Sequence, residues 1–120
     1  MKWLSYNSTG MASSPKKLAL RSLFDTEHAN IIMLQETLGE VEHITRILGS
    51  LNPGWKFLSL DAFGRSGGLA IGYNPCTIKL RASWGGICFI GMDIFSAELG
   101  MDLRVINVYV PYQGREDFLI

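Results

Sequence analysis

Cysteine is scarce in this chain of 120 residues, neither charge is in excess, and no apolar run is long. The two cysteines, Cys76 and Cys88, stand apart without CxxC spacing. That leaves out a disulfide framework and a cysteine-built zinc site, and reads as two buried thiols. The formal net charge is zero, which argues against a broadly basic nucleic-acid binder. It does not argue against an enzyme that grips phosphate locally through a metal. No stretch reaches the roughly 18 apolar residues of a membrane-spanning helix, so no membrane contact is expected. Met1 to Gly10 lacks the apolar core of a secretory signal and reads as a strand. The expected setting is therefore intracellular and reducing, the nucleus included. No linker, repeat or low-complexity tract interrupts the chain, and no protein partner is evident.

What is present is enough apolar material for one packed domain: hydrophobic residues make up 48% and mean hydropathy is positive, so disorder is not expected. Lys2 to Asn7 is a short strand, followed by a loop of small residues to Ser14. Ser14-Pro15 reads as a helix cap followed by proline at the first helical position. Leu20, Leu23 and Phe24 then fall at helical spacing. Asn30 to Leu34 is a continuous apolar run of strand length, as in a sheet covered on both faces. Gly39 to Leu51 is a second helix burying Val41, Ile44, Leu48 and Leu51, stopped by Asn52-Pro53-Gly54.

After Gly54 strands follow one another: Trp55 to Leu60, Leu69 to Tyr73, Thr77 to Trp84, Ile87 to Ala97, and Leu103 to Val110. Between the first two lies a glycine-bearing loop, Asp61 to Gly68. In the third, Ile78, Leu80, Ala82 and Trp84 alternate with polar residues, which predicts one wet face. Glu98 to Asp102 predicts a hairpin connection between the last two. Gln113 to Ile120 reads as the start of a further helix. The order β-α-β-α followed by strands, with both helices on one side, predicts a layered α/β (α+β) fold of mainly antiparallel strands.

Polar residues stand at three strand ends. Asn7 closes the first strand, Glu36 follows Ile31-Ile32-Met33-Leu34-Gln35, and Tyr109 follows Asn107-Val108 near the end of the last. Amide, carboxylate and phenol at the rim of a sheet suggest a site for a divalent cation and phosphate. Each residue also has a plainer reading. Asn7 suits an Asx turn into Ser8-Thr9-Gly10. Glu36 suits a solvated surface acid. Tyr109 suits a strand residue with a buried ring and a wet hydroxyl. Asn107 shares the face of Tyr109 by alternation and lines the same cleft on that reading. Arg65 is a loop arginine, either solvated or on a phosphate backbone. The loop that contains it is not a P-loop, since Gly-Lys-Ser is absent.

Four segments in order resemble the endonuclease/exonuclease/phosphatase superfamily. They are Trp3-Leu4-Ser5-Tyr6-Asn7 with Gly10, Ile31 to Thr37 with its Leu-Gln-Glu-Thr ending, Gly64-Arg65-Ser66-Gly67-Gly68-Leu69, and Ile106-Asn107-Val108-Tyr109-Val110-Pro111-Tyr112. With Arg115 and Phe118 following, their wording looks most like endonuclease domains of plant LINE-type retrotransposons. The resemblance implies a partial four-layer α/β sandwich in which residues 1–120 form the N-terminal portion of a single domain. The family's second half, with its Asp-x-Asn motif and Asp-His pair, is absent from this sequence. The resemblance further implies that Glu36 holds Mg²⁺ (or Mn²⁺), that Asn7 and Tyr109 are catalytic, and that Arg65, Asn107 and Tyr112 contact substrate. Tyr112 takes the place of the polar residue that other family members carry there, and would stack on a base or sugar. The implied partner is DNA and the implied reaction is in-line hydrolysis of a phosphodiester. Two other functions stay open at this point: a non-catalytic truncated remnant, and a phosphatase of the same superfamily acting on a phosphomonoester.

Overall fold

The computed structural model describes residues 1–11, 13–61 and 67–109. The elements are β1 (Trp3–Asn7), α1 (Ser14–Glu27), β2 (Ile31–Gln35), α2 (Val41–Leu51), β3 (Lys56–Leu60), β4 (Leu69–Tyr73), β5 (Ile78–Gly85), β6 (Phe89–Ser96) and β7 (Met101–Val108). They form a four-stranded sheet in the order β1-β2-β4-β3 and a three-stranded sheet in the order β5-β6-β7. Only β1 and β2 run parallel, joined through α1; the other pairs are antiparallel. This is the expected layered α/β fold.

Two apolar clusters follow from strand alternation. In β2 and β4, Ile31, Leu69, Ile71 and Tyr73 point one way and meet Ile78, Ile90, Met92, Ile94 and Val105 of the smaller sheet. Ile32, Leu34 and Ala70 point the other way and meet Leu20 of α1 and Ile44, Ile47 and Leu48 of α2. Helices, larger sheet and smaller sheet are thus three layers. The uninterrupted apolar run in β2 exists because both of its faces are covered. Each fully buried Ile or Leu contributes about 1.5–3 kcal/mol relative to exposure. At Gly72 the neighbouring strand presses so close that a Cβ would lie 2.5 Å from the Phe57 ring, which is why this strand position carries no side chain.

Several expectations shift. The cap of α1 is Ser13, whose hydroxyl accepts from Lys16 N at 3.4 Å; Ser14 and Pro15 are already helical. In α2, Ile47 takes the buried place expected of Val41, which is exposed. The β6–β7 turn is tighter than Glu98 to Asp102. Ser96 pairs with Met101, Ser96 Oγ accepts from Leu99 N at 3.1 Å, and Gly100 takes a left-handed φ of 66° to close it. A β-bulge between Leu80 and Ala82 inserts Arg81 as an extra residue. It reverses the faces of β5, so Trp84 does not share the buried side of Ile78 and Leu80 but lies outside, over Gly91. Neither thiol is fully buried: Cys76 is exposed and Cys88 half-buried. The helix expected over 113–120 falls outside the described residues. Among the described residues no helix is long and apolar enough to cross a membrane.

Candidate active site at the strand ends

The parallel register sets Asn7 level with Gln35, so β1 and β2 end side by side. Alternation places Ser5, Asn7 and Gln35 on one face, the face that β2 turns to the smaller sheet. Beyond this level the chain turns sharply. Glu36 and Leu38 both adopt left-handed backbone conformations, each with φ of 55°. For a residue with a Cβ this costs about 1–2 kcal/mol. Backbone contacts on two sides hold the turn in place. Glu36 O accepts from Gly10 N at 2.7 Å and from Ser8 Oγ at 3.1 Å. Thr37 N and Leu38 N donate to Gly68 O and Gly67 O at 3.3 and 2.6 Å. A Cβ at Gly67 would sit 2.9 Å from Glu36 Cα, so glycine is what lets this segment lie against the acid.

Glu36 is half-buried, and Tyr109 Oη donates to its Oε1 at 3.5 Å. That is a long bond, but it sets phenol and carboxylate side by side across the seam between the sheets. Burial pushes the Tyr109 phenol above its ordinary range, and the adjacent Glu36 charge and hydrogen bond push the same way. The structure thus brings Glu36 and Tyr109 together. Asn7 stands one strand away and is exposed; its Oδ1 accepts from Thr9 N at 3.0 Å, the geometry of an Asx turn. No hydrogen bond joins it to Glu36 among the described residues. Arg65 and Tyr112 lie outside the described residues.

Asn107 shares the face of Tyr109, as alternation requires, and is only 3% exposed. Its amide is engaged inside the protein, donating to Leu34 O and Ala70 O, both at 3.0 Å, while its Oδ1 accepts from Gln35 Nε2 at 2.9 Å. Sequence reasoning assigned no role to Gln35 or to Ser8, which is 1% exposed and shares its one hydroxyl hydrogen between Gln35 O and Glu36 O. The signal available for Gln35 was a polar residue closing an otherwise apolar strand.

Among the described residues no cluster of three or more acids, histidines or cysteines gathers to cage a metal. One carboxylate at an accessible rim fits a hard cation that keeps most of its water and takes further oxygen ligands from phosphate, as Mg²⁺ does. It does not fit zinc or a closed calcium site. A separate groove of about 210 Å³ between the ends of β3 and β5 is lined by Leu58–Leu60, Ser83–Gly85 and Ile90. It holds no titratable group, so it offers nothing for acid–base or metal chemistry.

No protein-family model and no curated protein matches the chain. Solved structures do. The chain is similar to TDP2 of D. rerio complexed with single-strand DNA product, with a TM-score of 0.71 at 14% identity, covering 94% of this chain and 48% of that one. It is similar to the AP endonuclease LMAP of Leishmania major, with a TM-score of 0.65 at 17% identity and coverages of 90% and 39%. It is also similar to an endonuclease/exonuclease/phosphatase from Bacteroides vulgatus, with a TM-score of 0.68 at 12% identity and coverages of 92% and 52%. The chain spans about half the length of these proteins or less. These likenesses show that the chain has the fold of endonuclease/exonuclease/phosphatase proteins.

Proposed function

We propose that this chain is the N-terminal portion of a metal-dependent phosphodiesterase that nicks DNA, of the kind found in retroelement endonucleases. The observation that carries the reading is the juxtaposition of Glu36 and Tyr109 at 3.5 Å across the two sheets. Glu36 would hold a largely hydrated Mg²⁺, and that ion would supply charge stabilisation at a phosphodiester oxygen. Tyr109, whose phenolic hydrogen faces Glu36 Oε1 in this structure, would turn that hydrogen to the phosphate when substrate binds. Asn7 orients the substrate phosphate from the neighbouring strand end, and Arg65 and Tyr112 contact the nucleic acid. Asn107, with its amide already engaged, acts from behind the site instead of touching substrate. Likeness to TDP2 with a DNA product and to an AP endonuclease supports DNA as the substrate.

The test is nicking of supercoiled plasmid by a full-length parent that contains these 120 residues and the family's second half. Glu36→Gln lowers Mg²⁺-dependent nicking by on the order of 100-fold or more, since even an outer-shell metal partner is worth 10–100-fold. Undiminished nicking by that variant removes the metal role. Hydrolysis of a phosphomonoester with no action on DNA transfers the site to the phosphatase reading.

A further inference from the structure

We propose that half-buried Gln35 and buried Asn107 form a positioning pair that sets the spacing of Glu36 and Tyr109 by locking the two sheets together one step behind them. The inference rests on the phosphodiesterase reading for its functional meaning, but its geometry stands by itself. Asn107 projects from β7 into the larger sheet and donates to carbonyls of Leu34 and Ala70, which are register partners on β2 and β4. Its own carbonyl accepts from Gln35 Nε2, and the same Gln35 nitrogen donates to Ser5 Oγ on β1 at 3.0 Å. One amide pair therefore ties β1, β2, β4 and β7. Both amide hydrogens of each residue have an acceptor.

The placement is what gives the tie its consequence. Gln35 precedes Glu36 by one residue, and Asn107 precedes Tyr109 by two on the same face. The direct Tyr109–Glu36 contact, at 3.5 Å, is too long to hold the two groups in register. The centre of the seam is packed by Ile, Leu, Met, Val and Tyr side chains, which tolerate small slips, and other polar links, Asn30 to Thr77 and the Met1 amino group to Glu98, involve residues that flank the strands, away from Glu36 and Tyr109 in the sequence. A buried polar pair replaced by apolar groups of the same shape is often neutral in stability, so its value lies in specifying one arrangement. Gln35 and Asn107 are positioning residues, not groups that touch substrate.

Nuclear Overhauser contacts between the Tyr109 ring and the Glu36 side chain test this in the full chain, observed without metal and assigned with Tyr109→Leu. If the pair sets the spacing, Gln35→Met weakens or abolishes those contacts, while contacts within the apolar cluster between the sheets keep their strength. Ring contacts of undiminished strength in Gln35→Met overturn the proposal. Should Gln35→Met fail to fold, exchange of the Asn107 Nδ2 protons in the unaltered chain decides. Strong protection supports the lock, and exchange at solvent rates overturns it. Mn²⁺ separates this inference from the parent reading. Loss of Mn²⁺-induced broadening around residue 36 in Glu36→Gln upholds the metal site, and identical broadening in both proteins removes it. The Tyr109 ring contacts, observed without metal, decide on the positioning pair under either Mn²⁺ outcome.

Discussion

Strand β4 exposes none of its five residues, whereas β7 exposes five of its eight. The two belong to sheets that face each other, so the difference comes from what covers their outer sides. β4 has helices α1 and α2 behind it, and its side chains are apolar or absent apart from the hydroxyl of Tyr73 at its end. Among the described residues nothing covers the outer side of β7. There Ile106 and Val108 are 47% and 44% exposed, and charged residues settle onto aromatic rings: Arg104 lies 4.9 Å above Trp84, and Arg81 5.4 Å from Phe95. The candidate site sits where the two regimes meet. The doubly covered sheet supplies a rigid strand end for Glu36, and the singly covered one delivers Tyr109 to it.

The strongest way to break this comparison is a matched pair of truncations. Ile32→Ala, in the doubly covered sheet, should destabilise by about 2–5 kcal/mol, the usual result of emptying a buried isoleucine. Ile106→Ser, on the open face, should stay within about 0.5 kcal/mol. Urea unfolding midpoints measure both. Similar losses at the two positions would mean that the outer face of β7 contributes as much to stability as the core.

The same contrast explains how much was readable from the residues alone. The run Ile31 to Leu34 announces a strand covered on both faces, and Glu36 just beyond it announces an acid at a rim, because both are local patterns. The face of Trp84 was not readable. Its alternation with Ile78 and Leu80 is unbroken in the sequence, and the bulge at Arg81 that turns it outward is set by pairing with β6. The tighter β6–β7 turn depends on a cap by Ser96, a residue that reads equally well as strand. Asn107 is polar at an inward position, a recognisable anomaly. Its partner Gln35 lies 72 residues earlier, and only the packing of one sheet on the other brings them together.

A smaller effect, in alkali, sharpens the comparison. Two phenols on the inner side, Tyr73 and Tyr109, are both held above their ordinary range, Tyr73 by burial and Tyr109 by burial and then by Glu36. A group whose ionisation is raised by folding stabilises fully below its unfolded value, about 10 for tyrosine, and loses that contribution as pH climbs through its folded value. Stability should therefore hold to about pH 10 and fall above it. Tyr109→Phe should reduce the steepness of the fall. An unchanged alkaline profile in that variant would place the Tyr109 hydroxyl in water in the folded protein.

The smallest expected effect belongs to the ion pair on the open face. Asp93 accepts from Arg104 Nε at 2.8 Å and from Nη2 at 3.2 Å, and this holds its carboxyl below the ordinary range. By sign, such a group adds stability above its unfolded value and loses it as pH falls through the lower folded one. The pair is bathed in solvent, however, and water and salt screen it while two long side chains give up freedom to make it. Arg104 also keeps its place over Trp84 without the carboxylate, because the ring and not the acid covers its guanidinium. Asp93→Asn should consequently leave the urea midpoint at neutral pH unchanged within error, at low and high salt alike. A loss approaching that of Ile32→Ala would show that charge pairing, not burial on the inner side, keeps β6 and β7 in register, and the distinction between the two sheets would have to be redrawn around the Arg104–Asp93 pair.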